Sequence, residues 1–304
     1  VWLERPAVDP MAVWPCCRNR QVPGSNPGGG ILFISPDNFY TPASFYPMIS
    51  VATWNVNSIR ARMELLREWL HEEKMDIACI QETKVTDDEF PYDELKEMGY
   101  SIAAKGQKAY NGVCILSKYS FSSVKKDFEH IERGEKRIIE VVAEGINIIN
   151  AYFPHGKFPG SESFHYKIDF IEGLRDYLDK NFDFKKDKVI ILGDFNVAPE
   201  ELDVYDADAL ENTIGFHERE REALLYLKAW GFVDLFREKN NGMREYTWWD
   251  YRSASFKRNA GMRVDHIWAS EKLAARCVEC SINRGMRAKP KPSDHAPVKA
   301  VFEM

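Results

Sequence analysis

With 304 residues, 44% of them apolar and 13% aromatic, the chain can build one large domain or two modest ones around a sizeable core. Its formal net charge of -6 argues against a uniformly basic coat for a polyanion. Apolar runs such as Ile31-Leu32-Phe33-Ile34 and Val189-Ile190-Ile191-Leu192 fall far short of the roughly 20 residues a bilayer span needs, and no basic segment followed by an apolar one marks a secretory leader. No membrane association and a reducing, cytoplasmic setting are therefore expected.

Residues 1–47 differ from the rest. Pro, Gly, Ser and Asn are dense, no hydrophobic period appears, and Gly24-Ser25-Asn26-Pro27-Gly28-Gly29-Gly30 can hold neither helix nor strand, so this extension is expected not to fold. Back-translated, Gly24-Ser25-Asn26-Pro27 is compatible with the T-arm sequence of a tRNA gene, which makes Met48 the expected native start. The intact mass of the protein from its own host checks this; a species carrying residues 1–47 would refute it.

From residue 48 onward short apolar strands alternate with amphipathic helices in one domain reaching residue 304. Ile49-Ser50-Val51-Ala52-Thr53-Trp54 reads as a strand leading to Asn55 and Asn57. Ile59, Met63, Leu66 and Leu70, behind the candidate cap Ser58, have the spacing of a helix with one buried face. Asp76-Ile77-Ala78-Cys79-Ile80 leads to Gln81-Glu82-Thr83, and Ile146-Asn147-Ile148-Ile149-Asn150-Ala151 leads to Tyr152. Tyr166, Phe170, Leu174 and Tyr177 mark a second helix. Val189-Ile190-Ile191-Leu192 has the branching of a strand buried on both faces and ends in Gly193-Asp194-Phe195-Asn196. In extended geometry Asp194 and Asn196 would face the same side and grip one group together. Leu224, Leu227 and Trp230 suggest a third helix. Tyr246, Trp248, Trp249 and Tyr251 have strand spacing, with Trp249 open to either a core or a site role. Val264-Asp265-His266-Ile267-Trp268 carries a carboxylate inside an apolar strand, and Ser293-Asp294-His295 precedes Ala296-Pro297-Val298.

Cys16-Cys17 are adjacent, Cys79 and Cys114 sit in apolar runs, and Cys277-Val278-Glu279-Cys280 lacks the second pair that zinc would need, so thiols are expected. Charge is uneven: residues 252–291 hold ten Lys/Arg against three Asp/Glu, and residues 200–222 nine acidic against two basic. Both stretches read either as solvated faces or as a local potential that steers a polyanion.

Each polar strand end has an ordinary reading: Glu82 as a cap, Asp265 as an arginine partner, His295 as a structural histidine, Tyr152 as a buried aromatic. Together they form the inventory of metal-assisted phosphodiester hydrolysis. A hard divalent cation takes carboxylate and carboxamide oxygens, which Glu82, Asn55 and Asp294 supply. A water must be activated and phosphate charge neutralised, jobs suited to Asp194, Asn196 and His295.

Trp54-Asn55-Val56-Asn57, Ile80-Gln81-Glu82-Thr83-Lys84, Ala151-Tyr152-Phe153-Pro154, Gly193-Asp194-Phe195-Asn196, Gly261-Met262-Arg263-Val264-Asp265 and Ser293-Asp294-His295-Ala296-Pro297 resemble, in order, the successive motifs of the exonuclease III family of abasic-site endonucleases. The likeness covers residues 48–304 and is closest to the bacterial branch, to which Gly215-Phe216-His217-Glu218-Arg219-Glu220-Arg221-Glu222 and Trp248-Trp249-Asp250-Tyr251-Arg252-Ser253 add. The resemblance implies a DNase I-like four-layered α/β sandwich, two mixed sheets face to face with helices on both outer faces. It implies Mg²⁺, with Mn²⁺ as an alternative, held by Asn55, Glu82 and Asp294, with Asp194, Asn196 and His295 near enough to share a metal. Asp265 would orient His295, Asp194 would activate water, and Tyr152 and Asn196 would stabilise phosphate charge. Some family members carry aspartate where Asn57 stands, one formal charge more at the cation.

By the same resemblance Trp248 and Met262 would line a pocket for a base-less sugar. Arg60, Arg62, Arg252, Lys257 and Arg258 are expected to meet DNA phosphates or a groove. The implied protein is a monomeric repair nuclease acting on duplex DNA with abasic sites or blocked 3′ ends, cutting 5′ of the lesion and trimming 3′ ends. Two rivals are a different phosphoesterase of the superfamily and a non-catalytic DNA-binding scaffold; the Trp248 to Lys291 stretch speaks against the first, and the complete set of catalytic side chains against the second.

Overall fold

A computed structural model describes residues 47–304; the expectation for the N-terminal extension and the Cys16-Cys17 pair lies outside them, Pro47 apart. Twelve strands follow one another: β1 (Met48–Asn55), β2 (Ile77–Gln81), β3 (Ser101–Lys105), β4 (Val113–Ser117), β5 (Ser123–Lys125), β6 (Ile138–Ala143), β7 (Ile146–Ala151), β8 (Val189–Asp194), β9 (Phe232–Asp234), β10 (Asp265–Ser270), β11 (Cys277–Ile282) and β12 (Val298–Glu303). They form two six-stranded sheets, ordered β11-β12-β1-β2-β4-β3 and β5-β6-β7-β8-β10-β9. Each is mixed: β1 and β2 are parallel, as are β7 and β8, and their other neighbours are antiparallel.

The alternation of side chains explains the layers. Val51, Ile77, Cys79 and Ile115 from the first sheet meet Ile148, Ile190, Leu192 and Ile267 from the second in one inter-sheet core. The opposite faces of the same strands are also apolar, so each needs a cover of helices. Met63–Glu72 buries Met63, Leu66, Trp69 and Leu70 against the first sheet. Glu162–Asn181, capped by Ser161 Oγ accepting from the Phe164 amide, and Glu218–Lys228 cover the second. The result is the four-layered α/β sandwich with helices on both outer faces.

Three local readings change. Ser58 does not cap the first helix; it has φ +92°, and a 3₁₀ turn at Arg60–Arg62 precedes Met63. Trp230 lies beyond the end of Glu218–Lys228 although it is buried. The Tyr246 to Tyr251 segment is no strand: Trp248 makes isolated bridges to Met262 and His295, Trp249 is core, and Trp248 remains half-buried. Cys79, Cys114, Cys277 and Cys280 are buried thiols, their pKa values pushed up by burial.

Candidate active site

Strand ends at one rim deliver the polar residues. β8 stops at Gly193-Asp194, and β10 begins at Asp265, which is the antiparallel register partner of Asp194. Gly193 adopts φ +144°, and a Cβ there would lie 1.9 Å from the Ala151 carbonyl oxygen, so only glycine lets β8 pass β7 this closely. From the other sheet, Asn55 ends β1 and Glu82 follows β2, with φ +53°. Tyr152 follows β7, and Asp294-His295 lie in the loop before β12. Beneath them a buried polar bridge crosses between the sheets: Gln81 Nε2 donates to Asn150 Oδ1 at 2.7 Å, and Asn150 Nδ2 donates to the Ile80 and Cys114 carbonyls at 3.0 and 2.9 Å.

Hydrogen bonds then fix the side chains. Asn55 Nδ2 donates to Glu82 Oε1 and Asp194 Oδ2, each at 2.9 Å, while its Oδ1 accepts from the Asn57 amide. Tyr152 donates its hydroxyl to Glu82 Oε1 at 2.8 Å, and Lys84 pairs with Glu82 Oε2 at 2.7 Å. His295 Nδ1 is 2.8 Å from Asp265 Oδ2, and its Nε2 is 3.7 Å from Asp194 Oδ2. Asp294 accepts from Asn57 Nδ2 at 3.0 Å and from Trp248 Nε1 at 3.1 Å. Asn196 reaches the site by a different route from the one expected. The strand ends at Asp194, Asn196 turns to φ +52°, its amide donates to Asp194 Oδ1 and its Nδ2 donates to the Phe153 carbonyl.

Charges diverge with environment. Burial raises the Asp194 carboxyl to about 7, with His295 pulling down and Asp265 pushing up. Burial alone would lower the pKa of His295, but Asp265 and Asp194 override it and raise the imidazole to about 10. Burial likewise works to raise Glu82, yet Lys84 and the donated hydrogen bonds hold it below the usual carboxylate value. Tyr152 is held far above 10 by burial and by the Glu82 and Asp194 charges, so it stays a donor.

The donor set suits a hard metal ion. Four carboxylates, Glu82, Asp194, Asp265 and Asp294, share the site with Lys84 and His295 as the cations hydrogen-bonded or ion-paired to them. Asp194, Asp265 and His295 offer ligand atoms all within 4.8 Å of one another. Asp265 and His295, however, spend two of those atoms on each other, Nδ1 facing Asp265 Oδ2 at 2.8 Å, which leaves Nε2 as the imidazole's remaining nitrogen for the site. Glu82, Asp194 and Asp294 line the cavity and Asp265 does not; of the three, Glu82 and Asp294 are the ones not gathered into the histidine cluster. Asn55 turns its amide N–H toward Glu82 and Asp194; its oxygen would serve only after that amide rotates.

That cavity, about 450 Å³, is lined by Glu82, Tyr152, Asp194, Asn196, Asp294 and His295, and on its apolar side by Leu210, Ile214, Trp248, Met262 and Val264. Trp248 and Met262 thus join the polar group. Arg62 does not stand free: its guanidinium donates to the Asn57 carbonyl at 2.9 Å, the Tyr251 hydroxyl at 2.8 Å and the Pro292 carbonyl at 3.2 Å, bracing the Asn57 loop against the Asp294 loop. Arg60 is exposed beside Glu89, and Arg252 is exposed but paired bidentately with Asp250. Lys257 and Arg258 are exposed on the short helix Ser255–Arg258, away from the cavity lining.

A model of the endonuclease/exonuclease/phosphatase family matches residues 52–295. The chain belongs to this family. It is 36% identical over 264 residues to exodeoxyribonuclease III of Haemophilus influenzae, covering 83% of this chain and 98% of that protein. Among solved structures it resembles an AP endonuclease from Archaeoglobus fulgidus (TM-score 0.82, 40% identity, covering 84% of this chain and all of that one). A 3′ phosphatase from Neisseria, bound to a product DNA hairpin, is similar at a TM-score of 0.81 and 33% identity, over 84% of this chain and all of that one. The two solved structures share the fold described here.

Several residues in and beneath the cleft leave little trace in the sequence. Lys84 sits two residues past Glu82 and was legible only as a motif neighbour. Leu210 and Ile214 come from an acidic segment with no apolar period, and Asn150 carries no signal beyond an asparagine in an apolar strand.

Proposed function

We propose that the chain is a metal-dependent DNA-repair nuclease that hydrolyses the phosphodiester 5′ to abasic sites in duplex DNA. The observation that carries this is the meeting of the Asp194, His295 and Asp265 cluster with Glu82, Tyr152 and the Trp248–Met262 wall in one cavity. Asp194, pushed up toward neutrality by its burial, is suited to take the proton of an attacking water. Asp265 keeps His295 cationic, and that imidazolium faces the phosphate as a charge-bearing donor. Asn196 keeps its second Nδ2 proton as a neutral donor for a phosphate oxygen, and Tyr152 adds another once its hydroxyl turns from Glu82.

A bound divalent cation, Mg²⁺ or Mn²⁺, would supply neutralisation of phosphate charge, with Glu82, Asp294 and a rotated Asn55 as its holders. The apolar wall suits a sugar that has lost its base, and no pairing energy opposes its rotation out of the helix. The similarity to a 3′ phosphatase, and to a 3′-5′ exonuclease from Neisseria meningitidis at 34% identity, favours 3′-end trimming by the same site as a second activity. A monomer working in the cytoplasm at the nucleoid completes the reading.

The test is cleavage of a duplex carrying one tetrahydrofuran site, in Mg²⁺ and in EDTA, beside an undamaged control. Cutting of the damaged strand in Mg²⁺ alone supports the reading; equal cutting in EDTA, or none in Mg²⁺, overturns it.

A further inference from the structure

Helix Glu162–Asn181 buries seven apolar side chains, yet Lys167 lies buried among them. Its partner Glu220, in Glu218–Lys228, is also fully buried, both side chains having 0% exposure. Lys167 Nζ donates to Glu220 Oε1 at 2.5 Å, to the Asn196 carbonyl at 2.7 Å and to the His155 carbonyl at 3.4 Å. Glu220 Oε2 in turn accepts from the Gly215 amide at 2.7 Å and the His217 amide at 3.1 Å. One ion pair therefore joins three loops, and His155, Asn196 and Gly215 from those loops all line the cavity.

The geometry is tight around the clamp. Gly156 has φ +88°, and a Cβ on it would come within 3.3 Å of Lys167 Cδ and 2.9 Å of Ile214 Cδ1. The Gly215 carbonyl also accepts from the Ala198 amide at 2.8 Å, closing the circuit behind Asn196. A buried ion pair is a poor source of stability, because apolar residues of equal volume are often as stable or more so. Fixing the loops is what this pair does and an apolar pair would not.

We propose that the Lys167–Glu220 pair is a positioning device for the reaction: it fixes the backbone of Asn196 and, through it, the Asn196 carboxamide at the cavity, so that it acts on turnover and not on substrate binding. This rests on the nuclease reading above.

Lys167→Met/Glu220→Gln removes both charges at nearly constant volume. On the tetrahydrofuran duplex in Mg²⁺, kcat should fall on the order of 10- to 100-fold, as for a reacting geometry displaced by about an ångström, with KM changed less than about threefold. In an Asn196→Ala background the same double change should cost little more, because its target is gone. Wild-type kcat in the double variant, or an undiminished loss in the Asn196→Ala background, overturns the proposal. Should the double variant not fold, Lys167→Met alone, which leaves Glu220 accepting from the Gly215 and His217 amides, takes its place with the same outcomes. If the wild-type protein itself does not cut, the nuclease reading has failed, and the clamp is then judged by NMR. The Asn196 side-chain amide signals should shift in the variant while the Trp268 indole signal stays; unmoved Asn196 signals overturn the clamp as well.

Discussion

Asp265→Asn is the perturbation that most directly probes the charge logic of the site. At 2.8 Å from His295 Nδ1, the Asp265 carboxylate interacts with an imidazolium by about 6 kcal/mol at an effective dielectric of about 20. The net rise of His295 from 6.5 to about 10 corresponds to about 5 kcal/mol, the same order, with burial opposing and Asp194 assisting. Neutralising Asp265 should therefore lower the His295 pKa by about 2–4 units, into the neutral range. The replacement amide can still accept from Nδ1–H with its oxygen. Its NH₂ then falls where Asp265 Oδ1 now sits buried with no partner, an added cost of about 1–3 kcal/mol in stability.

The sign of the pH effect follows from the raised value. His295 contributes stability that is fully present below pH 6.5 and is lost as pH rises through about 10, so urea midpoints of variant and wild type should differ most below pH 6.5 and approach one another at high pH. NMR titration of the His295 ring in metal-free protein measures the shift, and single-turnover cleavage should slow by about 10²–10⁴-fold. A variant whose His295 still titrates near 10, or which cuts at the wild-type rate, refutes the reasoning.

Gly193→Ala drives a methyl to 1.9 Å from a strand carbonyl at a φ that side chains avoid; it should cost more than about 3 kcal/mol by urea denaturation, and a wild-type midpoint would contradict the packing described. Glu82→Gln should raise the Mg²⁺ concentration for half-maximal cleavage by at least about tenfold while leaving DNA affinity in EDTA within about twofold, and an unchanged Mg²⁺ requirement would remove Glu82 from the ligand set. Lys257→Ala/Arg258→Ala should flatten the salt dependence of DNA binding by about 0.9 per lost phosphate contact, whereas Arg62→Ala should mainly lower kcat and thermal stability; a steep loss of salt dependence in Arg62→Ala would restore it as a phosphate contact.

Much of this was legible because strands and their ends follow local rules. The uninterrupted branched run at Val189-Ile190-Ile191-Leu192 could only be a strand covered on both faces, and its polar end had to lie at a rim. What was illegible depends on tertiary geometry. Asn196 needed a left-handed turn that no residue pattern announces, and Arg62 looked like a free cation until two loops closed around it. The aromatics near Trp249 mimic a strand because they are interspersed with Thr247 and Asp250 in sequence, although the buried aromatics, Tyr246 and Trp249, lie three apart and the backbone there makes only bridges. Lys167 and Glu220 were hidden by composition, since charged residues on a helix ordinarily face water.

The bridge from Gln81 to Asn150 has a consequence for how this enzyme fails. Glu82 belongs to one sheet and Tyr152, Asp194 and Asp265 to the other, and bonds of about 3 Å across the inter-layer seam hold the halves together. A shift of one layer against the other therefore moves Glu82 away from Tyr152 and Asp194 even when each sheet stays whole, so the cleft's integrity is set by the seam and not by either sheet alone.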